Sequence, residues 1–354
     1  MPRPELWTDL AFINGAILLL GVVLYALLGG ADFGGGIWDL LASGPRAADQ
    51  RKVIASAIGP IWEANHVWLI FVIVLVFTVF PPVFAVLSVA LYIPLSLALL
   101  GIVFRGAAFI FRTPARNVAT GVGAWDRVFA VASTVTPVFF GMAAGAVASG
   151  NIRVENGAVV SDLWRTWLAP FPFVIGLLAL ATCAYLAAVY LTLETTGELQ
   201  EDFRLRALGA GAAFALLAAI ALVLARNGAP WIWHGLTSRA AVFALPLGIG
   251  FALLSGWAVW QRRYRLARTA AIVEVALLLI GWALAQYPYL VVPDLTFENS
   301  AASPAMLRAA LVVFGIGALF LLPSLWFLYR VFKAELPGAV AVGYGPGQEP
   351  PRDL

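Results

Sequence analysis

Residues 59–77 read GPIWEANHVWLIFVIVLVF, which places polar side chains at the head of an apolar run. Glu63, Asn65 and His66 fall within four residues, and all eleven residues from Val67 to Phe77 are apolar. With its flanking residues, this run is long enough to cross a lipid bilayer. A charge inside such a span costs about 2.5–3.5 kcal/mol on insertion scales, so Glu63 requires a physical explanation.

The composition of the whole chain is that of a membrane protein. Of its 354 residues, 62% are hydrophobic and 12% are charged, whereas a soluble domain holds about 25% charged residues. Repeated apolar runs of spanning length indicate transmembrane helices, and the absence of strict apolar–polar alternation argues against an outer-membrane barrel. We therefore predict an all-α, polytopic integral membrane helix bundle.

The apolar runs predict about nine transmembrane helices in a single transmembrane domain over residues 1–335. The predicted spans are 10–36, 53–80, 82–104, 127–149, 168–192, 205–226, 239–260, 268–291 and 307–332. Residues 336–354 include the run GYGPGQEPPRDL, which is rich in glycine and proline and predicts a disordered cytoplasmic tail. The first apolar run is long enough to span and shows no pattern of a cleavable signal peptide.

The distribution of basic residues predicts the orientation of the bundle. Sixteen of the 22 lysines and arginines fall on one side of the predicted spans and six on the other. The side richer in positive charge usually faces the cytoplasm. The N-terminus is therefore predicted to lie outside and the C-terminus in the cytoplasm, as an odd number of spans requires.

The few metal-binding side chains restrict the cofactors that this chain can hold alone. Cys183 is the single cysteine and lies in an apolar run, so a thiolate metal cluster and an internal disulfide are excluded. His66 and His234 are the only histidines, and the predicted topology puts His66 deep in a span and His234 in an external loop, so the two could not meet on one haem. We therefore predict that the chain alone ligates neither haem nor metal.

Three acids, Asp32, Glu63 and Glu274, fall inside predicted spans, and each needs an explanation. Asp32, in LLGGADFGGGIWDLL, is either an acid at a fraying helix end or an acid on a water-lined path from the cytoplasm. Glu274 lies six residues after Arg268, and we interpret it as a structural acid that reaches back to the basic inner loop.

Glu63 is the third acid, and its position favours a role in proton transfer. Counted from Val53, ten helical residues carry Glu63 about 15 Å into the bilayer, and His66 shares its helix face at a spacing of three. A carboxyl group at this depth is expected to exchange protons near neutral pH, as a relay requires. The alternative is a polar clamp between helices, with Glu63 bonded to a neighbour and His66 merely packed.

Six blocks of the sequence, in order along nearly the whole chain, resemble subunit II of the cytochrome bd quinol oxidase family. The blocks are GGADFGGG (29–36), PIWEANHVWLI (60–70), FRGAAFIFR (104–112), WDRVFAVASTVTPVFFGMAAG (125–145), TTGELQEDFRLRA (195–207) and YPYLVVPDLTFENSAAS (287–303). The resemblance implies a bacterial cytoplasmic-membrane enzyme that oxidises quinol, reduces dioxygen to water and draws protons from the cytoplasm.

The resemblance also implies a division of labour between two chains. Two haems b and one haem d are ligated by the partner, subunit I, so no catalytic residue is expected in this chain alone. Subunit II is implied to be a scaffold that supplies part of the proton path. A structural quinone and a small accessory subunit are further partners that occur in the family.

Carried over residue by residue, the resemblance assigns roles to six side chains. Asp32 and Glu63 match the acids of the proton path, and His66 stands beside them where some family members have glutamine. Three residues match the motif and are expected to shape the site: Trp62, Asn65 and Trp68. Arg105 is added from its position at the inner end of the third predicted helix, where it could pair with a buried acid. The competing interpretations are a secondary transporter or ion channel, which also buries acids, and a structural assembly factor.

Overall fold

The structure is a computed structural model that describes residues 4–58, 62–116, 123–237 and 241–333. Over these residues the chain is mostly helical. The helices are α1 (Pro4–Leu40), α2 (Ala47–Ile58), α3 (Trp62–Val79), α4 (Pro81–Ala90), α5 (Tyr92–Arg116), α6 (Ala124–Ser149), α7 (Pro170–Leu191), α8 (Gly197–Gly228), α9 (Pro230–Gly235), α10 (Ala244–Trp260), α11 (Tyr264–Gln286), α12 (Phe297–Ser300) and α13 (Pro304–Lys333). The short strands are β1 (Val154–Glu155), β2 (Ala158–Val159), β3 (Tyr289–Val291) and β4 (Leu295–Thr296).

The helices confirm the predicted helical membrane bundle. Among the described residues, seven helices are long and apolar enough to cross a membrane, and eight if α3 and α4 form one bent span. The predicted span 239–260 corresponds to α10, which is apolar but has only 17 residues. The count of nine spans and the orientation of the termini stay predictions, because the structure contains the protein chain alone.

The structure divides the chain over the second and third predicted spans into different helices from those predicted. The second, 53–80, falls on the end of α2 and on α3, with residues 59–61 outside the described part of the chain. The prediction of a single helix over 82–104 is wrong, because α4 ends at Ala90 and α5 begins at Tyr92. The axes of α3 and α4 differ by 118°. Pro81 is the first residue of α4. The N–H that proline lacks would have no partner inside the helix at this position, so no helical hydrogen bond is lost.

The chain divides into two compact units, Met1–Ala310 and Leu311–Leu354. The first holds α1 to α12 and the start of α13. In the described part of the second, α13 continues as an apolar helix to Lys333, and the Arg330 guanidinium lies 5.1 Å from the centre of the Trp326 ring. The predicted tail, 336–354, lies outside the described residues.

Inside the first unit, α1 and α7 form the central pair. α1 packs on α3, α6 and α7, and α7 packs in turn on α6 and α8. The approach of α1 to α7 is so close that a Cβ atom at Gly34 would overlap the carbonyl oxygen of Cys183 and lie 2.6 Å from the Cβ of Ala187. Small residues at a helix interface permit such backbone contact in membrane proteins.

A pair of short hairpins is joined at the end of the first unit where α6 and α11 finish. β1 and β2 pair antiparallel around Asn156 and Gly157, which both have positive φ, as a tight hairpin turn requires. The carboxylate of Asp294, between β3 and β4, accepts hydrogen bonds from Arg153 Nε at 3.0 Å and from the Val154 amide at 2.8 Å. This ion pair therefore holds the two hairpins together.

Candidate functional site

The acid of the glycine-rich motif, Asp32, is buried in the helix bundle. It lies on α1, only 4% of its surface is exposed, and its Oδ2 accepts a hydrogen bond of 2.8 Å from Asn65 Nδ2 on α3. Eight residues separate Asp32 from the end of α1 at Leu40, which corresponds to about 12 Å of helix. Asp32 is therefore an interior acid and not one at a fraying helix end.

A buried arginine completes the polar cluster around Asp32. Arg105, on α5, is 1% exposed, and its Nη2 donates to the main-chain oxygen of Asp32 at 3.2 Å. Its Nε donates to Ser133 Oγ on α6, also at 3.2 Å. The rings of Phe33 and Phe129 lie 5.1 and 5.3 Å from the guanidinium carbon. Arg105 therefore links α1, through the main chain at Asp32, to α6.

Glu63 occupies a different position from Asp32, although both belong to the predicted proton path. It lies in the first turn of α3 and is exposed on the surface of this chain. The bond between Asn65 and Asp32 places this turn at the depth of Asp32, about 12 Å from the end of α1. Glu63 is therefore a surface carboxyl at a level where the neighbouring helices are apolar.

The other residues predicted to form the site lie on the same helix as Glu63. The ring of His66 packs edge-on against Tyr25 and Phe33, with centroid distances of 5.9 and 5.7 Å. Trp68 is buried and packs against Phe71. Trp62 begins α3, but its side chain lies outside the described part of the structure. The site thus brings together Asp32, Asn65, Arg105 and His66, with Glu63 at its margin.

Sequence reasoning missed one side chain that borders this cluster. The hydroxyl oxygen of Tyr25 is buried and has no hydrogen-bond partner among the described residues. Tyr25 lies on α1, seven residues before Asp32 and on the same face of that helix. Its ring packs against that of His66 on α3. The sequence signal that could have identified it is a tyrosine seven residues before an acid within an apolar span. Its hydroxyl can donate to or accept from a water molecule.

A second buried polar cluster surrounds Glu274, and here the sequence interpretation is wrong. Glu274, on α11, is 4% exposed, and its Oε2 lies 3.3 Å from the hydroxyl oxygen of Tyr185 on α7. The Tyr185 hydroxyl also contacts that of Ser255 on α10. Glu274 thus bonds inside the bundle and does not reach the basic loop. The helices that supply its partners are far apart in the sequence.

A charged network fastens α2 to α8 at the end of the unit where α1 and α7 finish. Arg46 binds both carboxylate oxygens of Asp202, at 2.8 and 2.6 Å, and reaches Glu198 at 2.8 Å. Gln50 donates to Asp202 and accepts from Arg206. The hydrogen bonds to Asp202 raise the pKa of the Arg46 guanidinium above its usual value. This network fixes α2, the helix that precedes the turn with Glu63.

The comparisons with known proteins agree with this arrangement of helices. The family model for the cytochrome bd terminal oxidase subunit II matches residues 10–332. The cytochrome bd ubiquinol oxidase subunit 2 of Bacillus subtilis (strain 168) is 26% identical over 93% of this chain and 96% of its own. The cytochrome bd-I ubiquinol oxidase subunit 2 of Escherichia coli (strain K12) is 28% identical over 62% of this chain and 56% of its own.

The similarity extends to three dimensions. A chain of the bd oxidase structure from Geobacillus thermodenitrificans superposes with a TM-score of 0.73 and 23% identity, covering 93% of this chain and all of the other. That superposition shows a shared fold, and the family match covers nearly every described helix. This chain belongs to the cytochrome bd terminal oxidase subunit II family.

Proposed function

We propose that this chain works as subunit II of a quinol:dioxygen oxidoreductase in the bacterial cytoplasmic membrane, together with a haem-bearing subunit I. The family membership and the full-length similarity to a ubiquinol oxidase subunit support this assignment. In this proposal the chain is a scaffold for its partner and forms part of the route by which protons reach the oxygen-reducing centre.

The proposed proton route begins at Asp32 and leaves the chain at Glu63. The observation that carries it is the hydrogen bond from Asn65 to Asp32, because it joins a buried acid to the helical turn that bears a surface carboxyl. The rings of Tyr25 and His66 pack against each other, and His66 also packs on Phe33, the residue that follows Asp32. Together they would offer polar atoms to the water molecules that carry a proton between the two acids. Arg105 holds the main chain at Asp32 in place through its hydrogen bond to the Asp32 carbonyl oxygen.

The haems of the enzyme are proposed to reside in the partner, because the residues of this chain do not fit a haem. Its two histidines lie on α3 and α9. The ring of His66 is packed between Tyr25 and Phe33. His234 lies at the end of the unit where α11 finishes, since the adjacent Gly235 packs against Ala285. The two haems b, the haem d, a structural quinone and a small accessory subunit are thus expected in the complex only on the basis of the family resemblance.

The proton route is tested by neutralising its two acids in the assembled complex. We expect Asp32→Asn and Glu63→Gln to lower quinol-driven oxygen uptake at least about tenfold, as the loss of a proton-transfer group does. The haem absorbance spectrum should stay intact in both variants. The control is Glu155→Gln, which neutralises an exposed acid in the β1–β2 hairpin. Normal turnover in Glu63→Gln with intact haems would remove Glu63 from the route.

A further inference from the structure

The Glu274 cluster has no part in the proposed proton route, yet it places a carboxyl group in the interior of a spanning helix. The acid is ten residues from the start of α11, corresponding to about 15 Å of helix. Tyr185 and Ser255, which complete the cluster, are 3% and 0% exposed. An ionisable side chain in such a place is costly and indicates a function of its own.

The number of hydrogen atoms available in the cluster decides the state of Glu274. Three contacts link four oxygens in a row: Glu274 to Tyr185 at 3.3 Å, Tyr185 to Ser255, and Ser255 to the carbonyl oxygen of Ala267 at 3.4 Å. Each contact needs one hydrogen atom between its two oxygens. The tyrosine and the serine supply one each, and a carbonyl supplies none.

If Glu274 were ionised, Tyr185 would donate to it and Ser255 would donate to Tyr185, which would leave the long contact between Ser255 and Ala267 without a hydrogen atom. The Ser255 oxygen would then face a carbonyl oxygen at 3.4 Å in an apolar interior, and the carboxylate would have a single donor among the described residues, which costs free energy. A protonated Glu274 supplies the third hydrogen. The acid then donates to Tyr185, the tyrosine donates to Ser255, and the serine donates to Ala267, so that every group in the row is satisfied.

The charges around Glu274 favour the same conclusion. Among the described residues, no lysine, arginine or histidine nitrogen forms a salt bridge with it. The groups that face it are Tyr185 from α7 and Ser255 from α10, while Arg268, on its own helix, is exposed near the start of α11. Asp32 has Arg105 beside it, but Glu274 has no such cation, and an uncompensated buried charge is strongly destabilising.

We propose that Glu274 is a proton-binding site that is occupied at neutral pH, with Tyr185 and Ser255 as the hydroxyl chain that orients its proton. The ligand is a single hydrogen ion, and the site is separate from the Asp32 cluster. The proposal does not depend on the route through Glu63, because it concerns the protonation of a different acid.

Infrared spectroscopy of the purified oxidase complex at pH 7 tests the proposal directly. The difference spectrum between wild type and Glu274→Gln should contain the carbonyl stretch of one protonated carboxylic acid per complex, and that band should move to lower frequency in D2O. Tyr185→Phe removes the acceptor of the acid proton, so the same band should remain but shift. Ser255→Ala should shift it less, because it acts one bond further away.

The matched control is Glu155→Gln, in which an exposed acid is replaced and carboxylate bands, but no acid carbonyl band, should be lost. The proposal is overturned if Glu274→Gln removes carboxylate bands and leaves the acid carbonyl region unchanged. Should that variant fail to assemble with haem, Tyr185→Phe decides instead, and an unchanged acid carbonyl band then counts against the proposal. Neither result depends on the rate of oxygen uptake.

Discussion

At the scale of single residues, the free energy of burying Asp32 depends on the hydrogen-bond donors that surround it. Asp32 has the amide of Asn65 on one oxygen, and the guanidinium of Arg105 binds its main-chain oxygen. A carboxylate in an apolar interior is tolerated when such partners replace the lost water. The cluster also draws its members from α1, α3 and α5, so that one acid connects three helices.

Replacing Asn65 by alanine should test this dependence. The change removes a hydrogen bond to a buried charged group, which contributes about 1.5–3 kcal/mol in folded proteins. We expect a loss of stability of about 2 kcal/mol, measured by chemical denaturation of the complex with haem release as the signal. Asn151→Ala, in the exposed loop after α6, is the control and should leave the denaturation curve unchanged. Equal curves for Asn65→Ala and wild type would show that Asp32 does not need this donor.

At the scale of helices, the contact between α1 and α7 depends on the absence of a side chain at Gly34. An alanine there would meet the backbone of Cys183, and such overpacking costs about 1–3 kcal/mol. Gly209, inside α8, has no heavy atom within 4 Å of where its Cβ would lie, so Gly209→Ala should stabilise by about 0.5–1 kcal/mol. Denaturation of the two variants in detergent should shift in opposite directions, and equal shifts would contradict the close approach.

The connection between α2 and α8 is electrostatic and should respond to salt. We expect Arg46→Gln and Asp202→Asn to show a favourable coupling in a double-mutant cycle, because the arginine binds both oxygens of the acid. The coupling should decrease as ionic strength rises, since the pair is partly exposed to solvent. Thermal denaturation at low and high salt measures it. Additive single effects at low salt would mean that the network does not hold α2.

At the scale of the whole molecule, the exposed side of α3 presents Glu63 at the depth of the apolar spans. A carboxyl at this level is too costly to face lipid, so we infer that the partner subunit covers it. Val67 is one turn further on the same face and 39% exposed. In Val67→Cys, we expect a lipid-soluble maleimide to label the cysteine in the separated chain and not in the complex, as measured by mass spectrometry.

The single native cysteine makes this labelling experiment clean, because Cys183 is buried. The control is Val223→Cys on α8, a helix that packs against α7 and α10. Val223 is 72% exposed. It should be labelled in the separated chain and in the complex alike. Labelling of Val67→Cys in the complex would show that no partner covers this face of α3.

The fold class and part of the site could be predicted from the sequence because they depend on local features. Apolar runs of spanning length predicted the helical bundle, and an acid among glycines in such a run made Asp32 a candidate site residue, which the structure places in the interior beside Asn65. The hydropathy pattern did not predict the division of residues 82–104 into α4 and α5. An apolar run has the same composition whether its helix is straight or broken, so its bend depends on what packs around it.

The pairing of polar groups between helices was decided by the tertiary structure. Sequence spacing put Glu63 and His66 on one helix, but it could not show that Glu63 is exposed while Asn65 turns inward to Asp32. Nor could it show that Glu274 meets Tyr185, which is 89 residues away along the chain. Hydropathy determines which segments leave water. Only the packing of those segments against one another determines which buried polar atoms find partners, and therefore where protons can be held.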